Sequence, residues 1–84
     1  MKASQHFIDT ITQGIRLLRA KYGADTVAEC KPWALFHAVG DSCRPGMTHN
    51  AKVDMPLNEA FHAECRELND AHIETAIKAA IRQA

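Results

Sequence analysis

From Phe7 onward the apolar residues recur at every third or fourth position: Phe7, Ile11, Ile15, Leu18 and Tyr22. That spacing places them on one face of a helix. Ser4 stands where a hydroxyl can cap the free N–H groups of the first turn. Gly23 stands where a left-handed residue ends it. Gly14 lies on the same apolar side, where a glycine lowers helix propensity, so another backbone is expected to approach it closely.

Asp25 is placed to cap a short second helix through Val27 to Cys30. Pro32 has no backbone N–H and restricts Lys31, so the chain must kink or restart there. Proline is accepted in a first turn, and Pro32 to Gly40 reads as a third helix, apolar nearly all round. Trp33, Leu35, Phe36 and Val39 are expected in the middle of the core, with His37 as a satisfied core histidine. Residues 40–53 form the least regular segment, broken by Gly40, Asp41, Ser42, Pro45, Gly46 and Asn50, with at most an extended stretch at Ala51 to Val53. A loop of this length is where function is to be sought.

Pro56 marks another first turn, and Leu57, Phe61, Cys65 and Leu68 form the apolar stripe of the helix that follows. Asn69 and Asp70 offer a cap for a last helix, whose buried side is Ile73, Ile77, Ala80 and Ile81. Glu74 and Lys78 are spaced to pair on its outer face. The pattern therefore predicts an all-α, compact single domain over residues 1–84, with four or five short helices and an irregular loop around 40–53. The first helix and the last two are expected to pack around the Trp33 helix.

Length and composition sharpen this picture. Eighty-four residues make one domain with a thin stability margin, and a shared apolar surface in a homodimer is one way to widen it. Ten basic and ten acidic side chains cancel, which weighs against nucleic acid as a partner. Locally, Arg16, Arg19 and Lys21 crowd the end of the first helix, where cations suit the negative dipole end. The last third is acidic. No apolar run is long enough to span a membrane and none resembles a signal peptide. Three cysteines without close pairing do not make a secreted disulfide framework, so a reducing cytoplasm is the expected compartment.

Candidate chemistry is sparse. Cys43, His49, His62 and Cys65 offer four ligands of the kind zinc takes tetrahedrally, two from the loop and two on adjacent turns of a helix. Their separations, five, twelve and two intervening residues, match no familiar zinc signature. Cys65 equally suits the apolar stripe, and His49 a polar loop. His6 and His72 are expected at the surface. A nucleophilic cysteine has one loop candidate, Cys43 with His49, and no carboxylate obviously placed to orient that histidine. There is no phosphate-binding glycine loop and no Ser-His-Asp grouping, so a non-enzymatic role is expected. The short helix at Trp33 has almost no polar side chain with which to read base edges.

Recognition of another protein remains, with no cofactor. Arg44, Met47, His49 and Lys52 in the loop, with Arg16 and Arg19 on the first helix, are the expected contacts, since loops on a rigid scaffold commonly carry binding. The format, small and without catalytic motifs, is that of accessory or inhibitor proteins of phages and mobile elements. A small zinc-stabilised domain contacting protein or nucleic acid is the alternative.

Overall fold

The computed structural model describes residues 2–41 and 43–84. Five helices follow one another: α1 (Gln5–Tyr22), α2 (Ala24–Ala28), α3 (Pro32–Asp41), α4 (Ala51–Glu67) and α5 (Asp70–Gln83). The domain is all-α. Ser42, one of the expected loop breakers, lies outside the described residues.

α1 forms as its pattern predicts. Ser4 caps it by accepting the Phe7 N–H at 3.0 Å, and Phe7, Ile11, Ile15 and Leu18 are buried. Tyr22, counted with that stripe, is exposed. Gly23 follows at φ 91 and ψ 148, a backbone region that only glycine adopts readily. α2 starts at once, with Gly23 as its cap in place of Asp25, which lies within the helix.

The hub of the domain is α1, where the sequence pattern put α3. α1 packs against α2, α3 and α5, and α3 packs also on α5. Leu35, Phe36 and Val39 do lie in the core. Trp33 is only half-buried and meets Phe36 edge-on at 5.7 Å. His37, expected in the core, is exposed; it shares the open side of α3 with Trp33, their rings 6.3 Å apart.

The close approach expected at Gly14 is present. A Cβ on Gly14 would collide with the backbone carbonyl of Cys43 and sit 2.7 Å from both methyl groups of Val39. The missing side chain thus lets the end of α3 and the chain after it cross α1 at backbone distance.

α4 begins five residues before Pro56, so Ala51 to Val53 is helical where an extended stretch was expected, and the irregular segment shrinks to residues 43–50. The Asn50 side chain caps α4 by accepting the Lys52 N–H at 3.1 Å. Pro56 sits inside the helix and leaves the Lys52 carbonyl without its helical donor. Asn69 caps α5 as expected, accepting the His72 N–H at 2.8 Å. Replacing Asn50 or Asn69 by alanine is expected to cost about 1 kcal/mol each in urea unfolding. The exposed Glu74–Lys78 pair at 3.8 Å contributes only about 0.3–0.5 kcal/mol.

α4 joins the rest through long side chains more than through close backbone approach. Phe61 stacks on Phe7 at 5.3 Å and leans on Phe36 at 5.7 Å, tying α4 to α1 and α3. Leu57, expected on the buried stripe, is 42% exposed. The body measures 32 × 31 × 17 Å, about two helices thick, and that thinness leaves apolar positions of α4 uncovered.

Candidate functional site

The loop from Cys43 to Asn50 and the first turns of α4 are organised by two buried charges. Asp54, on α4, turns back to the loop. One carboxylate oxygen accepts from the Thr48 N–H and the Thr48 hydroxyl, both at 2.8 Å, and the other accepts the His49 N–H at 3.0 Å. The Thr48 N–H bond, followed by the hydroxyl and the His49 N–H, holds the Asp54 carboxyl below its ordinary value despite its burial. The same contacts hold His49 at φ 65, a left-handed conformation that histidine tolerates better than most residues.

A depressed carboxyl stabilises the fold at pH above its unfolded value and loses that contribution as pH falls through the folded one. Asp54→Asn is therefore expected to be less stable than the parent at pH 7, with the gap closing as pH falls below about 4. Urea titrations at pH 7 and pH 3 read this directly. An unchanged gap at the two pH values would show that Asp54 acts through shape alone.

Arg44 is the second buried charge and the largest departure from expectation. It is 4% exposed, so it is not an adaptable surface contact. Its guanidinium donates to the Gly40 carbonyl at 2.9 Å, to Met47 Sδ at 3.5 Å and to Asn58 Oδ1, and lies 4.5 Å from the centre of the Phe61 ring. Among the described residues no carboxylate forms an ion pair with it. Burial pushes its pKa below the ordinary arginine value, and the negative charges of Cys65, when ionised, and of the Asp54 carboxylate oppose that shift. Arg44 thus ties the end of α3, the loop and α4 together by planar hydrogen bonds and a cation–π contact.

Two depressions flank this loop and share Arg44 as a wall. The first, about 390 Å³, runs between α1 and α4: His6, Asp9 and Gln13 face Leu57, Ala60 and Glu64 across it, with Phe7 and Phe61 also lining it. The second, about 410 Å³, is bounded by Leu17, Ala20 and Lys21 of α1 and by Cys43, Met47 and His49. The α1 residues of both recur at three- and four-residue spacing and form one continuous stripe of that helix.

Of the expected partner contacts, His49 and Lys52 are exposed, Met47 and Arg19 are half-buried, and Arg16 reaches across to donate to the Gln83 carbonyl at 3.2 Å. Of the four candidate zinc ligands, Cys43 and His49 border the second depression, His62 is exposed on α4, and Cys65 is half-buried against the core. Among the described residues no three His, Cys, Asp or Glu side chains gather where they could hold a metal ion. Asp54, the carboxylate nearest His49 in the chain, has both oxygens committed to the loop. His6 is exposed as expected, whereas His72 is half-buried and its Nδ1 has no hydrogen-bond partner among the described residues.

Burial, and then the neighbouring Glu64 carboxylate, push the Cys65 thiol up, which makes it a poor nucleophile at neutral pH. Cys30 is exposed. Thiol labelling at pH 7.5, followed by peptide mapping, is accordingly expected to modify Cys30 well before Cys65; equal rates would contradict the burial of Cys65.

No helix among the described residues is long and apolar enough to cross a membrane. No protein-family model matches the chain, and no match is found to a curated protein or to a solved structure.

Proposed function

We propose that this chain is a non-enzymatic protein-binding module whose binding face is the groove between α1 and α4. The observation that carries the reading is the row Val53, Leu57 and Ala60 on α4. These residues are spaced to share one face of the helix, and all three are exposed; Leu57 and Ala60 line the groove directly. A thin domain that buries Phe61 yet leaves this row open offers an apolar wall to another molecule. The floor beneath it is held by Arg44 and the Phe7–Phe61 stack, so the groove is set before a partner arrives. Binding of this kind acts by covering a partner's surface, the mode expected of a small accessory or inhibitor protein.

Affinity capture with tagged parent, Ala60→Arg and Leu57→Glu tests the reading. Both positions are exposed, so the variants are expected to fold, as checked by circular dichroism. The expected result is a protein retained by the parent and by a distant control, Lys78→Ala, and lost from both groove variants. Identical capture by all four would overturn the groove as the binding face.

A further inference from the structure

Resting on that reading, we infer that the groove receives a short amphipathic helix with basic residues flanking its apolar face. The shape argues for a helix. The facing stretches, residues 6–13 of α1 and 57–64 of α4, each run about 10 Å. They offer an apolar wall on α4 opposite a mostly polar one on α1, so an incoming helix buries one face and leaves the other wet. About two turns of helix fill that length, with anchors at i, i+3 or i+4, and i+7 against Leu57 and Ala60.

The charge argues for a basic occupant. Asp9 and Glu64 stand on opposite sides of the groove, and neither forms an ion pair among the described residues. Among the described residues Asp9 accepts from the neutral Gln5 amide at 2.8 Å, and Glu64 from the Ser4 hydroxyl. No lysine lines this groove, and its one arginine, Arg44, is buried and committed to internal acceptors. Two carboxylates without an ion pair among the described residues, beside an apolar strip, attract lysine or arginine flanking an apolar stripe and repel acidic ones.

The test uses two fluorescein-labelled peptides of about fourteen residues, leucine on one face and either lysine or glutamate on the other, titrated with the full chain by fluorescence anisotropy. The lysine peptide is expected to bind at least about tenfold more tightly than the glutamate peptide at low salt, with the difference shrinking as salt is added. Asp9→Lys combined with Glu64→Gln, which retains an acceptor for Ser4, is expected to remove or invert that preference. Ala60→Arg is expected to abolish binding of both. Equal affinities, no binding, or a preference unmoved by the rim variant would overturn the inference. So would a concentration-dependent dimer, seen by sedimentation, that Ala60→Arg dissolves, because a second copy would then be the occupant. If the lysine peptide fails while Ala60→Arg still removes the captured protein, the protein-binding reading stands and only the basic helix falls.

Discussion

Gly14→Ala is expected to destabilise the domain by about 3 kcal/mol, lowering the melting temperature by roughly 12–24 °C. Alanine in mid-helix ordinarily stabilises by about 1 kcal/mol over glycine, so the sign of this change is itself diagnostic. The added methyl would collide with the Cys43 carbonyl oxygen and press both Val39 methyls at 2.7 Å. A side chain can rotate away from such a contact; a backbone carbonyl cannot unless the chain moves with it. Val39→Ala in the same chain is therefore expected not to rescue Gly14→Ala. Gly40→Ala is the matched control, since its methyl would meet only the Phe61 ring edge at 3.5 Å, an ordinary contact. That variant is expected to be neutral or more stable by up to about 1 kcal/mol. Urea unfolding followed by Trp33 fluorescence measures all three, and a neutral Gly14→Ala would contradict the close crossing of α1 by the chain after α3.

Removing the Arg44 side chain is the other large effect. Arg44→Ala leaves the Gly40 carbonyl and the Asn58 amide without their donor and opens space over Phe61. A stranded buried polar group costs about 1–3 kcal/mol and the lost cation–π contact adds to it, so a total of about 3–4 kcal/mol is expected. Small domains have total stabilities not far above that, so a substantial unfolded fraction at 37 °C is expected. Arg44→Lys retains the charge but has a single ammonium where a planar fork spans two acceptors, and is expected to lose about half as much. Were Arg44 a surface contact, Arg44→Ala would bind less and melt as before. The expected result is the reverse order, with folding lost first.

Helices whose one face is buried along most of their length were readable from spacing alone. Phe7, Ile11, Ile15 and Leu18 recur without interruption, and Ser4 and Asn69 cap as their side chains suggest. The start of α4 was not readable from proline. Pro56 suits a first turn, yet Asn50 supplies a cap and Asp54 a clamp for an earlier start, and these together outweigh it. The Thr48, Asn50 and Asp54 spacing was the available signal. α3 was placed at the centre because it is the most apolar helix, but Trp33 and His37 occupy its open side.

Arg44 carried no local sign of burial. An arginine between Cys43 and Pro45 in a polar loop looks solvated, and only the fold brings Gly40, Asn58 and Phe61 around it. Leu57 belongs to the expected stripe of α4, but the helix is rotated so that Asp54 and Phe61 face inward and Leu57 lies at the groove's edge. Which apolar residues of a thin domain stay uncovered depends on tertiary packing, and so the candidate site lay beyond what spacing can show.

The α1–α4 groove is the proposed binding face. Amide hydrogen exchange on the chain, alone and in complex with the protein captured by the parent and lost from Ala60→Arg, addresses it most directly. Added protection across residues 6–13 and 57–64, with α5 unchanged, is the predicted result. Protection confined to α2, to α5 or to the Trp33 side of α3 would place the binding face there and not in the groove.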